Sequence, residues 1–406
     1  MSIRKIRIPR LHDHHSHPLF YSSFGQGVSL EKVKTKEEAN ELLTQASCGT
    51  NGITVAHGWR SNHFQWSADE LESLPAVAIF NVSLHELLLN SEGKAQLLEK
   101  YGSSTNKIEN REWYEANLRV VLNWFANLNA SAEGLSRFFE ELEKVGVDSA
   151  EEMLLVDENE IQVFEEAGLS DRTKFWAAPD TYRGLSDKAK SQVHGLKLFT
   201  DGALGARTAA ITRPYVAEDD NRGMLIYSDA ELGRAIAECF EAKDLLAIHA
   251  IGDRAIEQVI QSIEQIGIAK RSNKLVRIEH AQLISRNQAS RAKALGICLS
   301  MQPNFSCDSK DYSDRMDSDF CQANNPFRML IDDVGFIPGE DMIFGSDGMP
   351  HGVGFALTQS LFPTIDCQKL TLDEFKAGYC VPESEACEIE LSIDDSNETV
   401  CLMDES

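Results

Sequence analysis

Val193-His194-Gly195-Leu196-Lys197-Leu198-Phe199 is a short apolar run, and four more like it follow at Leu245–His249, Leu275–His280, Ile297–Met301 and Met342–Asp347. Between them lie amphipathic stretches at helical spacing, Asp229–Ala242, Arg254–Ile266 and Arg286–Leu295. Strands that alternate with helices are parallel, because a parallel partner is reached only through a crossover. Ile53–Val55, Ala76–Val82, Glu152–Val156 and Thr173–Ala178 are further strand candidates upstream. The predicted class is α/β.

Working outward, the charged stretch from about 92 to 147 carries Leu118, Val121, Leu122, Phe125 and Leu128 at helical spacing. This pattern reads as an inserted helical layer on one main domain, 11–380, since such a stripe is usually core. At the ends of the chain, Ile6 and Ile8 alternate with basic residues, and Ile389, Leu391 and Ile393 alternate with acidic ones. Val400 and Leu402 follow the turn-like Asp394-Asp395-Ser396-Asn397. Residues 1–10 and 386–403 are expected to meet as a small β-sheet, with Arg7 or Lys5 opposite Glu388 or Glu390. A frayed acidic tail is the competing reading.

The ligand-type residues fall in a revealing order. Lys197, His249, His280 and Asp347 lie in or at the C-terminal ends of four of the strands. Far upstream, Leu11-His12-Asp13-His14-His15-Ser16-His17-Pro18 places His15 and His17 one residue apart. On a strand those two imidazoles project from one face and can chelate one ion, while His12 and His14 alternate away and drop out. In a closed parallel barrel the C-terminal strand ends converge, so His15, His17, Lys197, His249, His280 and Asp347 would meet in one cup. Imidazoles and a carboxylate suit Zn²⁺ and related divalent ions. Taken singly, each has a plain structural reading: a packed histidine, a snorkelling Lys197, a turn aspartate. Those readings leave the recurrence at strand ends unexplained.

Composition limits the partners. The 406 residues carry a net charge of −25, which argues against nucleic-acid or anionic-membrane binding. Nine cysteines without a C-x-x-C pair suit reduced cytosolic thiols. The opening Met1–Ile8 lacks a signal-peptide core, and no apolar run reaches membrane-spanning length. A cytoplasmic protein acting on a small-molecule substrate is expected, with room left for a homodimer.

Asp13-His14-His15-Ser16-His17, Gly195–Ala209, His249-Ala250-Ile251-Gly252-Asp253-Arg254-Ala255, Ile278-Glu279-His280-Ala281-Gln282, Gln302-Pro303 and Gly345-Ser346-Asp347 together resemble the amidohydrolase superfamily. Within it they resemble the YtcJ-like metal-dependent hydrolases of amidohydrolase family 3, from about residue 11 to 365. The resemblance implies a distorted (β/α)8 TIM-like barrel and hydrolysis of a C–N bond, usually a non-peptide amide. It implies His15 and His17 as the first-strand metal pair, Lys197 as a lysine carboxylated by CO₂, and His249, His280 and Asp347 as later ligands. One or two ions, zinc by preference, would serve. It further implies His85 and Asn90 as substrate-side residues. Members usually carry tens of residues of β-structure before the His-x-His strand, and the terminal sheet would be a reduced form of it.

The expected chemistry is attack on an amide by metal-activated hydroxide, with Asp347 moving the proton and His280 or the metal polarising the carbonyl. Arg207, Asp201 and Asp253, just beyond the ligand strands, would orient ligands or substrate, or serve as structural partners. Two alternatives use the same cup: deamination of an aminoheterocycle, and a non-catalytic metal-binding scaffold.

Overall fold

The computed structural model describes residues 3–403 apart from 26, 47–51, 62, 82–85, 111–112, 115–116, 268–274 and 383–386. Eight parallel strands form the sheet that carries the ligand residues. In chain order they are β1 (Leu11–Ser16), β2 (Val147–Leu155), β3 (Thr173–Ala177), β4 (Val193–Phe199), β5 (Leu245–Ala250), β6 (Leu275–His280), β7 (Cys298–Met301) and β8 (Met342–Phe344). Each strand pairs with the next in sequence. The two ends of the sheet meet where the Asp347 N–H donates to the His15 carbonyl at 2.7 Å. Gly345 makes this approach feasible, since a Cβ there would lie 2.4 Å from the His15 nitrogen. The result is a nearly closed TIM-like barrel, as the family resemblance implies; the parallel strands follow the alternation of strands and helices.

Local sequence sets the crossovers. Ser228 and Glu231 form a capping box that starts the helix Asp229–Ala242, and Ser285 and Gln288 do the same for Arg286–Ala294. The helix Asp253–Ile266 stops at Gly267, whose left-handed conformation costs glycine little. Its apolar stripe (Ile256, Val259, Ile260, Ile263) is buried.

The chain divides into two compact units, where one main domain was expected. The barrel unit holds residues up to His17, Glu141–Glu158 and those from Ser170 onward; the second holds Pro18–Glu140 and Asn159–Leu169. The second unit is larger than the expected insertion at 92–147. It has its own four-stranded sheet, Val28–Ser29, Thr54–Trp59, Val77–Asn81 and Leu87–Leu89. It also has its own core, in which Val121, Phe125 and Leu128 pack with Phe80 and Leu97. A separate core makes a separate unit, and helical periodicity alone does not reveal it.

The two ends of the described chain pair with each other. Ile3–Pro9 runs antiparallel to Glu388–Asp394, which turns back into Thr399–Leu402. Arg7 stands opposite Glu390, and Lys5 Nζ lies 3.3 Å from the Glu390 carboxylate. These exposed pairs contribute little. Burial of Ile8, Ile389, Leu391, Ile393 and Val400 on the opposite face holds the sheet down. Leu391 is fully buried, so Leu391→Ala is expected to lower unfolding free energy by about 2–5 kcal/mol. Urea denaturation checks this; a change within about 0.5 kcal/mol, as at an exposed site, would show that the sheet is not docked.

Candidate metal centre

Each ligand-type residue arrives on a strand end. Alternation along β1 would point His15 the same way as Asp13, outward from the barrel. A register shift between Asp13 and Ser16 breaks that alternation and turns His15 inward. Asp13 stays outside the lumen and locks the seam: its carboxylate accepts from the Ser346 N–H at 2.8 Å, the Ser346 hydroxyl and the His15 N–H at 3.3 Å.

His280 and Asp347 reach the centre by another device. Both have positive φ, 71° and 54°, a conformation non-glycine residues rarely adopt. At the end of β6 this turn lets two consecutive side chains, Glu279 and His280, both serve the centre. Backbone strain of this kind collects at functional sites.

The structure brings the expected residues together. His15 Nε2 lies 3.8 Å and His17 Nε2 3.4 Å from Asp347 Oδ1. The His280 ring is 4.6 Å from both the His15 and His249 rings, centroid to centroid. His15, His280 and Asp347 each offer a ligand atom within 4.8 Å of the others. Lys197 is buried, with Nζ 5.0 Å from the Phe199 ring centre, and its charge is felt by His15 and His280.

An outer ring of acceptors, which sequence reasoning missed, sets the imidazole orientations. His15 Nδ1 is 2.6 Å from Glu279, His280 Nδ1 is 2.7 Å from Gln302 Oε1, and His17 Nδ1 is 3.6 Å from Glu152. An Nδ1–H directed at such an acceptor leaves Nε2 as the lone-pair nitrogen, the arrangement found around metal-binding histidines. His249 is turned differently, with Nε2 2.9 Å from the Gly202 carbonyl and 3.3 Å from Asp201. Asp201 is itself fixed by the N–H groups of Ala210, Ile251 and Gly252 at 2.8–3.1 Å.

Electrostatics separates the groups. Burial, then the charges of Lys197 and His280, hold the His15 pKa well below its ordinary value. Burial, then His249, lowers His280 to about 3. Both are therefore neutral, the ligand form. Burial would also lower His17, but its hydrogen bonds to the Asp347 and Glu152 carboxylates outweigh it and raise the pKa to about 9. Burial would raise Asp347, yet the three histidines around it hold its carboxyl well below the usual range. A proton on His17 or a divalent cation answers the same demand of these oxygens.

Beneath the centre, the barrel lumen is charged. Arg277 donates to Glu279 at 2.8 Å, to Glu151 at 2.7 Å, to the His14 carbonyl at 2.8 Å and to Ser300 at 3.2 Å. Its guanidinium also lies 4.7 Å from the Trp176 ring centre. The sequence signal was present: Arg277 and Glu279 alternate with Val276 and Ile278 in a strand expected to be covered on both sides.

Three of the four expected substrate-side residues bond within the scaffold. Asn90 accepts from the Val77 and Gly93 N–H groups and donates to the Leu74 and Pro75 carbonyls, so it caps a helix and ties down a turn. Asp253 holds the Thr212 N–H and hydroxyl at 2.8 and 2.6 Å. Arg207 pairs with Glu218 and Asp314 at 3.4 and 3.8 Å. These three spend polar atoms on the scaffold. His85 lies outside the described residues.

Comparison with known proteins agrees with this geometry. The model of the amidohydrolase family matches residues 5–353. The chain belongs to the amidohydrolase family. It is 34% identical to the YtcJ protein of Bacillus subtilis (strain 168) over 137 residues, 34% of this chain and 26% of that one. It is 31% identical to Protein LONG AFTER FAR-RED 3 of Arabidopsis thaliana over 118 residues, 29% of this chain and 20% of that one. The matched segments thus span well under two thirds of either relative. Among solved structures, an uncharacterized metal-dependent hydrolase from Pyrococcus furiosus shares the fold at a TM-score of 0.69 and 21% identity, over 92% of this chain and 80% of that one. One from Pyrococcus horikoshii OT3 gives the same TM-score at 23% identity, over 92% and 79%. Among the described residues, no helix is long and apolar enough to cross a membrane.

Two outcomes test the outer ring. Glu279→Gln is expected to weaken metal binding by about 10- to 100-fold, measured by chelator competition. Unchanged affinity would remove Glu279 as the group that orients His15. Arg277→Met leaves Glu151 and Glu279 buried without their cation and is expected to cost roughly 3–5 kcal/mol of stability in denaturant unfolding.

Proposed function

We propose that this amidohydrolase-family chain is a metal-dependent hydrolase that cleaves a non-peptide C–N amide bond of a small molecule. The observation that carries the reading is the Asp347 carboxylate, held ionised beside the Nε2 atoms of His15 and His17. The donor set fits a divalent ion, since His15, His280 and Asp347 present ligand atoms within 4.8 Å of one another. His15, His17, His249, His280 and Asp347 would hold it, joined by Lys197 once its amine is carboxylated. Bound there, a zinc ion supplies Lewis acidity and lowers the pKa of water to about 7. A cationic Lys197 repels such an ion, whereas its carbamate offers two anionic oxygens. That contrast favours carboxylation and a pair of ions.

The chain's own groups do the remaining work. Asp347 takes the proton from the attacking water and passes it to the nitrogen, because an amide departs poorly as an anion. The Gln302 amide is fixed by its 3.4 Å bond from Nε2 to the Ser300 carbonyl, so its Oε1 accepts the His280 Nδ1–H. His280 Nε2 then carries a lone pair, which makes His280 a ligand and not a donor to the substrate carbonyl. Glu152 and Glu279 fix the imidazoles of His17 and His15, which would hold the ion.

Asp347→Asn is expected to retain most of the bound metal and lose turnover by roughly 10²-fold or more. Wild-type turnover in that variant would remove Asp347 from the mechanism. The substrate class is read from products in a screen of amides, esters and aminoheterocycles. Amine plus carboxylate supports the amidase. Ammonia from a ring substrate replaces it with a deaminase, and silence across all classes leaves a metal-binding scaffold.

A further inference from the structure

At the other end of the lumen from Asp347, where the parallel strands begin, a second group of ligand-type side chains converges. His12 Nε2 lies 3.3 Å and His14 Nδ1 3.1 Å from one oxygen of Glu151, Oε1. One ligand atom from each of the three residues falls within 4.8 Å of the other two. None belongs to the centre described above. By strand alternation His12 and His14 leave the upper cup, but the bulge in β1 means that they do not leave the lumen. They line a cavity of about 810 Å³ at this mouth, together with Ser149, Thr173 and Lys174.

From this arrangement we propose a second divalent-metal site at the N-terminal mouth of the barrel, with His12 Nε2, His14 Nδ1 and Glu151 Oε1 as its protein ligands. Three features argue for it. First, ligands about 2.1 Å from a tetrahedral ion sit about 3.4 Å apart, close to the 3.1 and 3.3 Å found here. The side chains need to part only slightly to admit the ion.

Second, the carboxylate is divided. Oε2 of Glu151 takes the Trp176 indole N–H at 2.6 Å and Arg277 at 2.7 Å, and Oε1 faces the imidazoles. An ion on Oε1 therefore leaves the lumen network intact. Lys174, which lines the cavity with Arg172 and Lys376, lies 3.6 Å from Oε1, and its half-exposed chain can swing into solvent when an ion enters. Third, His12 has the outer contact of a metal-binding histidine: its Nδ1 lies 2.7 Å from the Ser149 hydroxyl, which fixes the ring and points Nε2 at Glu151. Two histidines and one glutamate leave an open position, and both histidines border the cavity, so solvent can fill it.

The test counts ions at each mouth separately. Metal-free protein is equilibrated with excess Zn²⁺, desalted, and analysed for zinc per chain. The double variant His12→Gln/His14→Gln is expected to hold one zinc fewer than wild type. The double variant His15→Asn/His17→Asn is expected to lose ions from the upper centre and keep the lower one. Equal zinc content in wild type and His12→Gln/His14→Gln overturns the proposal. Because a lumen variant can misfold, wild-type crystals soaked in Zn²⁺ give a second readout at the zinc edge. An anomalous peak bonded to His12, His14 and Glu151 supports the site. A peak at the upper centre alone overturns it and leaves the hydrolase reading untouched.

Discussion

The Arg277 guanidinium, buried between Glu151 and Glu279, is the constraint on which the barrel's interior depends. A lumen of this kind is normally filled by branched apolar side chains. Here it holds a cation between two carboxylates, and each carboxylate has a second obligation. Glu279 orients His15 above, and Glu151 faces His12 and His14 below. Charges this deep are tolerable only while all are paired. The lumen is thus a single hydrogen-bonded column, and a change at either end is felt by the group in the middle.

Much of this was legible in the sequence. Strand runs at 193–199, 245–249 and 275–280 and the helix over 229–242 recur in the structure with little or no shift in bounds. Ligand-type residues at strand ends were readable because parallel topology converts sequence position into a place on one face. His15, His17, Lys197, His249, His280 and Asp347 all follow that rule. The terminal sheet was readable from alternation, down to Arg7 opposite Glu390.

What was not legible depended on partners remote in sequence or on local departures from regular backbone. Glu279 looks like an ordinary strand carboxylate until His15, 264 residues away, closes on it. His12 and His14 were dismissed by strict alternation, which the bulge in β1 suspends. Asn90 and Asp253 were read as substrate-side candidates, and their polar atoms bond within the scaffold, Asp253 to Thr212 across 41 positions. Asn90 followed by Gly93 at the start of a helix reads equally well as a cap, and the capping bond is what forms. Two strands of the second unit, Thr54–Trp59 and Val77–Asn81, overlap the candidates at 53–55 and 76–82, but Val28–Ser29 and Leu87–Leu89 are two and three residues long and give too few alternations to register.

The seam between β1 and β8 has a consequence for the order of events in the cell. Asp13 and Ser346, whose bonds fasten that seam, are separated by 333 positions. His15 and His17 therefore leave the ribosome long before Asp347, and their strand has no closing neighbour until the eighth has been made. Contacts of such high sequence separation form late and slowly. Metal capture at the upper centre is accordingly a post-synthetic event, completed when the barrel shuts rather than when its first ligands appear.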